Sequence, residues 1–290
     1  MARRTRLPAA GVLAVLLALS AACGPTRAAP PPSEAAPGRV TVATWNMCGV
    51  RQWNCEDTGS SQEKVLALKR LATEEGARVV MLQEVCAGDL ATARTELGTA
   101  WHSVFQAYRR LDARGRGAAA RCAADSQGAA GIAILAPSAL SDVVEPSVRQ
   151  PATGLQRGLL CAVVAAPHVR VCNAHLSLPG GDPSRPELEF RDDQLAALVN
   201  AADGRTVFGG DLNSAPPSAG ERSSWIWPHD LYRRYRECDQ SSPSSRTGRA
   251  THRTGHKVDY LFTALPRAGC SVLDTGASDH WALVLQVKEG

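Results

Sequence analysis

Apolar runs of strand length recur along the chain, and each ends at a polar side chain. The clearest is Val207–Gly210, which leads into Asp211-Leu212-Asn213. Because side chains two residues apart on an extended backbone point the same way, Asp211 and Asn213 are predicted to share one side of the loop. Four other runs follow the pattern: Val40–Trp45 before Asn46, Val79–Gln83 before Glu84, Val169–Ala174 before His175, and His256–Val258 before Asp259. Sites of layered α/β proteins collect at strand ends, so the pattern predicts one polar site at a sheet edge.

Two longer segments show helical periodicity instead. Apolar residues recur three and four apart across Gln62–Gly76 and across Glu187–Ala202. Between such segments, short β-branched runs are joined by tight turns, which favours antiparallel neighbours. The chain is therefore predicted to be an α/β protein. Its 290 residues, 44% hydrophobic and 21% charged, suffice for one full core and show no disordered or fibrous bias.

Six short motifs, taken in order, resemble those of the endonuclease/exonuclease/phosphatase superfamily, which includes pancreatic-type deoxyribonucleases, abasic-site endonucleases, inositol polyphosphate phosphatases and bacterial sphingomyelinases. The motifs are Thr44-Trp45-Asn46, Leu82-Gln83-Glu84, Asn173-Ala174-His175-Leu176, Gly210-Asp211-Leu212-Asn213, Val258-Asp259-Tyr260 and Ser278-Asp279-His280. Each motif is weak alone, but together they cover most of the chain. The resemblance implies a four-layer α/β/β/α sandwich with two packed mixed sheets, helices outside, and every motif at one rim.

A metal site is the first chemical expectation. Glu84 offers the hard carboxylate oxygen that Mg²⁺ prefers, and Mn²⁺ or Ca²⁺ are alternatives. Asn46 is expected to bind the same ion or a water on it, and Asp279 to add a further contact. Such an ion would neutralise the phosphoryl oxygens and the departing oxygen during attack of water on a phosphorus ester.

The remaining motif residues are assigned to the attack itself. Asp211 is predicted to align or deprotonate the water, and Asn213 to hydrogen-bond the phosphoryl group. His175 is predicted to donate to a phosphoryl oxygen as negative charge builds up there. The resemblance further implies that Asp259 orients His280 and fixes its tautomer.

The leading functional interpretation is an exported Mg²⁺-dependent phosphodiesterase, a nuclease that acts as a monomer on nucleic acid. Phospholipid or phosphomonoester hydrolysis is the alternative within the enzyme class, and a non-catalytic binding module is the alternative outside it. The chain departs from the pancreatic-type deoxyribonucleases at one point. Those enzymes place an acid before the strand that matches Gly131–Leu135, where it supports the histidine matching His175, whereas this chain has Gln127–Ala130.

Residues 1–22 resemble a signal peptide. Arg3, Arg4 and Arg6 precede the apolar stretch Leu7–Leu19, which is shorter than the roughly 20 residues that span a bilayer. Ser20–Gly24 resembles a bacterial lipobox, so Cys23 is predicted to be lipidated; ordinary cleavage nearby, releasing a soluble protein, is the alternative. Residues 23–38 then form a Pro/Ala-rich spacer, and 39–290 a single catalytic domain. The protein is expected outside the cell or lipid-anchored on its surface.

Cysteine usage supports export. The chain has nine cysteines, and setting Cys23 aside leaves eight, enough for four disulfides in an oxidising compartment. Cys161 and Cys172 flank a predicted hairpin whose turn centres between Ala166 and Pro167, so they would face each other across the strands. Cys48 and Cys55 would close the loop after the first strand. The other candidates are Cys86, Cys122, Cys238 and Cys270. Zinc is disfavoured because no Cys-x-x-Cys pair occurs.

Charge gives a weaker signal. The formal net charge is +4, and removal of the leader leaves about +1, so no global basic field for nucleic acid exists. Arginine is clustered locally, and the ordinary explanation is solvated loops. The clusters are Arg109–Arg121, Arg233–Arg236 and Arg246–Lys257. Because the third leads into Asp259, Arg253 and Lys257 are predicted to contact a phosphate-bearing substrate.

Overall fold

The computed structural model describes residues 38–55, 57–218 and 223–289. The predicted signal peptide, Cys23 and nearly all of the spacer lie outside these ranges. The helices are α1 Ser61–Thr73, α2 Ala87–Leu97, α3 Arg191–Asn200 and α4 Leu231–Arg234, with 3₁₀ turns at Arg51–Trp53, Asp125–Gln127 and Ser224–Ile226. Within the described residues, no helix is long and apolar enough to cross a membrane.

Fifteen strands complete the described part of the chain. They are β1 Arg39–Asn46, β2 Val79–Cys86, β3 His102–Ala107, β4 Arg109–Leu111, β5 Gly117–Ala119, β6 Ala130–Ala136, β7 Leu140–Val144, β8 Gly154–Gln156, β9 Gly158–Val164, β10 Val169–His175, β11 Thr206–Asp211, β12 Arg236–Glu237, β13 Asp259–Thr263, β14 Arg267–Leu273 and β15 Ala282–Lys288. Two six-stranded sheets have the orders β14-β15-β1-β2-β6-β3 and β12-β13-β11-β10-β9-β7, and a small third sheet has the order β5-β4-β8.

Both large sheets are mixed, and their layers form the expected sandwich. Val42, Met81 and Ile132 of one sheet meet Leu160 and Val171 of the other in a shared apolar core. The opposite face of the first sheet packs on α1 and α2, and that of the second packs on α3 and α4. Alternation along β1 explains this arrangement: Val42 faces the other sheet, whereas its neighbour Ala43 belongs to the helix-side core. The α/β/β/α prediction is confirmed.

A polar bridge crosses the sheet interface under the motif residues. The amide of Gln83 on β2 donates to Asn173 on β10 at 2.6 Å, and Asn173 in turn donates to the carbonyls of Leu82 and Ala133 at 2.9 Å. All four residues are buried. Since buried amides are stable only when they are hydrogen-bonded, this bridge fixes the position of β2 relative to β10.

Several element boundaries differ from the sequence prediction. The first helix ends at Thr73, three residues early, and α3 begins only at Arg191 because Glu187–Phe190 forms part of the preceding loop. Helix α2 was not predicted, because only Asp89, Leu90 and Ala93 of its residues are buried. The expected strand His256–Val258 is irregular, and β13 starts at Asp259 itself.

The four disulfides link all eight cysteines of residues 39–290. The predicted pairs Cys161–Cys172 and Cys48–Cys55 are confirmed. Cys161 and Cys172 are direct partners in the β9–β10 ladder, as the hairpin argument required. The other two bonds join Cys86 to Cys122 and Cys238 to Cys270. The last two bonds join segments 36 and 32 residues apart, whereas Cys48–Cys55 and Cys161–Cys172 close separations of 7 and 11 residues.

Candidate active site

Strand register collects the predicted site residues at one edge. His175 and Asp211 are partners at the ends of the parallel strands β10 and β11, and Asp259 faces Asp211 across β11 and β13. Parallel pairing of β1 with β2 likewise places Asn46 beside Gln83, next to Glu84. The site therefore follows from how the apolar strands pair, and the motifs need no additional folding element.

Asp211 lies at the centre of this group and is buried. Its Oδ2 lies 3.0 Å from the amide nitrogen of Asn46, 3.4 Å from His175 Nε2 and 3.8 Å from His280 Nε2. The preceding Gly210 makes this approach feasible, because a Cβ there would overlap the carbonyl oxygen of Ala174. Burial, and then the charge of Asp259, raises the pKa of Asp211, while the donors around it act in the opposite direction.

His280 is held by Asp259 in the way that the sequence predicted. Its Nδ1 lies 2.9 Å from Asp259 Oδ2, which fixes the ring and leaves Nε2 facing the cavity. Burial alone would lower the pKa of His280. The carboxylates of Asp259, Asp211 and Asp279 outweigh burial and raise this pKa to about 10, so the ring is an imidazolium at neutral pH.

The loop carrying His280 is fixed to the first motif by Ser278. The Ser278 hydroxyl donates to the Asn46 carbonyl at 2.7 Å and accepts from the His280 N–H at 3.1 Å. Trp45 adds a second tie, since its indole N–H donates to the His280 carbonyl at 3.2 Å. The first and last motifs, more than 230 residues apart, are thus joined directly.

Glu84 sits on a local irregularity of β2. Its φ of +50° lies in the left-handed region, and the β2–β6 register shifts between Leu82 and Val85. Such bulges redirect side chains at strand ends. The Glu84 carbonyl accepts from Gly49 at 3.0 Å, where any side chain at Gly49 would collide with that oxygen. Irregular backbone and a neighbouring glycine together direct the Glu84 side chain into the cavity.

The charge state of Glu84 fits a cation site. Burial raises the pKa of Glu84 to about 7, because the charged form is poorly solvated there. The Oδ1 atom of Asp279, which lines the same cavity, is also buried with no hydrogen-bond partner in the described residues. A buried carboxylate oxygen without a donor is costly unless a cation compensates it. Hard oxygen donors of this kind suit Mg²⁺, Mn²⁺ or Ca²⁺.

The other predicted metal ligands occupy the same cavity. Asp279 and Asn46 both line it, and Asp279 Oδ2 lies 3.3 Å from His252 Nε2. The side-chain oxygen of Asn46 accepts from the Cys48 N–H at 2.9 Å and its nitrogen donates to Asp211, so only one lone pair of that oxygen is left for a metal or water. A cluster of Cys48, Cys55 and Glu84 is not a thiolate site, because the cysteines form a disulfide.

Tyr108 is a site residue that the sequence analysis missed. Its hydroxyl accepts from the Glu84 N–H at 3.0 Å and lies 2.7 Å from His175 Nδ1. Burial and the charge of Glu84 raise the pKa of Tyr108 well above its usual value, so the hydroxyl stays protonated and donates to His175 Nδ1. Tyr108 thus supports His175, the task that an acid performs in the deoxyribonuclease branch.

His175 is neutral in this arrangement. Burial, followed by the charges of Arg157 and His280, holds the pKa of His175 well below its usual value. With Nδ1 accepting from Tyr108, the ring proton lies on Nε2, which faces Asp211 at 3.4 Å and Glu84 at 4.0 Å. His175 therefore presents an N–H donor to the cavity.

Arg157 is the second residue that was missed. It lies between β8 and β9, is half-buried, and lines a cavity of about 460 Å³ together with the motif residues. Its charge lowers the pKa of both Glu84 and His175. Arg157 Nε is buried without a hydrogen-bond partner among the described residues. A guanidinium in this position is a donor for an anionic group.

Asn213 also reaches the cavity, with its amide nitrogen donating to the Leu176 carbonyl at 2.9 Å. Arg253 and Lys257, the predicted substrate contacts of the third arginine cluster, do not line this cavity. Lys257 is a correction: its side chain is buried, and Nζ lies 3.2 Å from Glu237 Oε1, so it serves a buried ion pair and does not line the cavity. Arg253 is exposed, and its backbone N–H donates to the Asp279 carbonyl at 2.8 Å.

Comparisons with known proteins agree with this fold. A model of the Endonuclease/Exonuclease/phosphatase family matches residues 43–280. An endonuclease/exonuclease/phosphatase from Beutenbergia cavernae DSM 12333 is 22% identical, with 87% of this chain and 72% of that one covered and a TM-score of 0.63. ANGEL2, a 2',3'-cyclic phosphatase, is 16% identical, with 87% and 95% covered and a TM-score of 0.56. TDP2 of D. rerio, complexed with single strand DNA product, is 14% identical, with 86% and 98% covered and a TM-score of 0.55. No curated protein matches the sequence.

Proposed function

The chain belongs to the endonuclease/exonuclease/phosphatase family, whose members are hydrolases of phosphoric esters, and we propose that it is an exported, divalent-metal-dependent phosphodiesterase acting on nucleic acid. One observation carries the proposal. A single carboxylate, Asp211, is surrounded by the amide of Asn46 and by two histidines in opposite protonation states, beside the buried Glu84. A binding module has no need of such a charge arrangement, whereas hydrolysis of a phosphorus ester does.

Glu84, with Asp279 and the remaining lone pair of Asn46, would hold the cation, which neutralises phosphoryl charge when bound. Asp211 would align the attacking water and accept its proton, since its raised pKa suits a base. His280, protonated and oriented by Asp259, would donate from Nε2 to an oxygen of the phosphoryl group or leaving group. His175 Nε2–H and Arg157 would stabilise the charge that builds up on the phosphoryl oxygens.

Export is part of the proposal and is supported by the four disulfides, which are typical of proteins that fold outside the cytoplasm. Nucleic acid is favoured over the other esters by local charge. Arg110 and Arg157 both line the cavity, so a substrate with phosphates on either side of the scissile one finds donors there. The same fold hosts a 2',3'-cyclic phosphatase and a protein bound to single strand DNA product.

The experiment is a substrate panel. Purified protein with Mg²⁺ is incubated with plasmid DNA, RNA, sphingomyelin, a phosphomonoester and bis-p-nitrophenyl phosphate, beside the Asp211→Asn variant and the exposed control Asp142→Asn. We expect turnover of DNA or RNA by wild type and by the control, and loss of at least ~10²-fold with Asp211→Asn. Turnover of sphingomyelin or the monoester alone would replace nucleic acid as the substrate. Equal rates for Asp211→Asn and wild type would exclude the catalytic assignment.

A further inference from the structure

A second, larger groove opens from the active-site cavity. It has a volume of about 970 Å³ and lies along the hairpin formed by β4, the turn 112–116, β5 and Arg121, here called the arginine arm. The groove and the active-site cavity share three lining residues, Gln52, Trp53 and Arg110, so they adjoin each other there. We propose that this groove binds the part of a single-stranded nucleic acid that flanks the scissile phosphate. The inference rests on the proposed function and specifies its substrate.

The groove carries unpaired positive charge. Arg110 and Arg121 line the groove and are exposed, and among the described residues neither guanidinium pairs with a carboxylate. Arg116 differs, because it is bound to Asp112 at 2.8 Å and is therefore already neutralised. Since the mature chain carries a charge of only about +1, two unpaired arginines in one groove form a local anion site and not part of a general basic surface.

An aromatic side chain, that of Trp53, also lines the groove. Trp53 is half-buried and lies where the groove meets the active-site cavity. Its ring packs on that of Tyr108, the residue that supports His175, with the ring centroids 5.9 Å apart. This contact holds the Trp53 ring in a fixed position beside the active site. A base can stack on such a ring only when it is free of its own helical stack, and sequence-tolerant stacking between cationic side chains is typical of single-strand sites.

The arginine arm is held rigidly against the active site. The Cys86–Cys122 disulfide joins the end of the arginine arm to β2, two residues beyond Glu84. The Ala120 N–H donates to the Tyr108 carbonyl, and the side-chain amide of Gln52 donates to the Arg121 carbonyl, both at 2.8 Å, so the end of the arm is fixed by two hydrogen bonds. Arg110, Arg121 and Trp53 are therefore held at set distances from the metal-binding carboxylate, as a flanking subsite requires.

Binding can be measured without catalysis. A fluorescein-labelled 12-nucleotide DNA is titrated with protein in EDTA and followed by fluorescence anisotropy, for wild type, Arg121→Glu, Trp53→Ala and the control Arg39→Glu. Arg39 begins β1 at the end opposite Asn46, and the strand rise per residue places it about 23 Å from Asn46. Arg39→Glu makes the same change of charge as Arg121→Glu, so it is a matched control. We expect binding to weaken at least tenfold with Arg121→Glu or Trp53→Ala and less than twofold with Arg39→Glu. The slope of log K against log salt should also become shallower by about one with Arg121→Glu.

Hydrolysis separates this inference from the proposed function. With Mg²⁺, the ratio of kcat/KM for the 12-nucleotide DNA to that for a dinucleotide should fall at least tenfold with Arg121→Glu and stay constant with Arg39→Glu. Suppose that wild type cleaves the dinucleotide, but Arg121→Glu changes neither this kcat/KM ratio nor the affinity for the 12-nucleotide DNA. The groove is then not the subsite, and the proposed function stands. If the 12-mer binds through Arg121 but no phosphodiester is cleaved, the groove stands and the proposed function fails. Tighter binding of duplex than of single strand would overturn the stacking argument.

Discussion

His175 and His280 both approach Asp211, but they differ in charge, since His175 is neutral and His280 is an imidazolium. They approach the same carboxylate oxygen at 3.4 Å and 3.8 Å. One has its pKa held low by burial and by neighbouring cations, and the other has its pKa raised by three carboxylates. When their surroundings shift the pKa values of two neighbouring groups apart, one group can act as an acid at neutral pH while the other stays neutral. His280 is then the cationic acid, and His175 is a neutral N–H donor.

Asp259→Asn tests the assignment of His280. The substitution keeps the shape but removes the largest influence that raises the pKa of His280, so burial would lower that pKa and the ring would lose its proton at a lower pH. We expect kcat/KM to fall at least ~10²-fold at neutral pH, with the alkaline limb of the pH–rate profile shifted to lower pH. Asp142→Asn, on the exposed strand β7, is the control. A profile that keeps its alkaline limb would show that His280 is not the titrating acid.

Tyr108→Phe tests the support of His175. Removing the hydroxyl leaves the Glu84 N–H and His175 Nδ1 without their partner, which should lower stability by about 1–3 kcal/mol and activity by about tenfold or more. The matched control is Tyr235→Phe, whose buried hydroxyl donates to the Ala202 carbonyl. Both variants should lower the midpoint of thermal unfolding, but only Tyr108→Phe should lower kcat. Equal activity in both would reduce Tyr108 to a packing residue.

Glu84→Gln tests the cation site with a readout other than turnover. A neutral amide is a poorer ligand for a hard dication, so the thermal stabilisation of wild type by added Mg²⁺ should be lost or need a much higher concentration. In EDTA, the variant should be at least as stable as wild type above pH 7, because Glu84 is costly to ionise there without a cation. Glu96→Gln, in an exposed ion pair with Lys69, is the control. An unchanged Mg²⁺ titration would place the ion elsewhere.

At the scale of elements, one buried carboxylate joins two loops beside the site. Asp182 accepts from the Ala152 N–H at 2.8 Å, the Thr153 hydroxyl at 2.7 Å, and the N–H and hydroxyl of Ser184 at 2.9 Å and 2.6 Å. These bonds attach the segment before β8 to the loop after β10. Because Arg157 follows β8 directly, Asp182 positions the strand that delivers Arg157 to the cavity.

Asp182 makes stability fall in acid. Hydrogen bonds from Ser184 and Thr153 lower the pKa of Asp182 in the folded state, so the stabilisation is complete above the unfolded pKa of about 4 and is lost as pH falls below it. Asp182→Asn should therefore be less stable than wild type at pH 7, and the difference should narrow below pH 4. Urea unfolding of both proteins from pH 2 to 7, with Asp142→Asn as control, measures this. A constant difference across that range would contradict the assignment.

The elements that sequence predicted are those whose signal is local. Strands β1, β2, β10 and β11 are apolar runs ending in a polar residue, so both the strand and its site residue can be read together. Helix α2 carries no such signal, because it buries little and its apolar periodicity is weak. Neither Tyr108 nor Arg157 lies in one of the six motifs. Tyr108 reaches the site through contacts of its hydroxyl with Glu84 and His175, 24 and 67 residues away, and Arg157 lines the cavity. Lys257 was misplaced because sequence cannot show that Glu237 is its partner.

At the scale of the whole molecule, the disulfides divide the cysteines into eight that are paired and one, Cys23, that precedes the described residues. A thiol titration under denaturing, non-reducing conditions therefore reports on Cys23 alone. We expect no free thiol in protein exported by a bacterial host, because lipidation would block the remaining sulfur. Peptide mapping should recover Cys161 linked to Cys172.

The mass of the N-terminal peptide distinguishes the two fates that sequence leaves open. A diacylated Cys23 would be hydrophobic and would partition the protein into detergent, as two acyl chains give stable membrane anchoring whereas one gives only marginal binding. Cys23→Ser should then release the protein into the aqueous phase with its four disulfides and its activity intact, because the two large sheets of the described residues contain no residue before β1 and none of the four disulfides uses Cys23. One free thiol per molecule in wild type would show that Cys23 is retained unmodified, and aqueous partitioning of wild type would reject the lipid anchor.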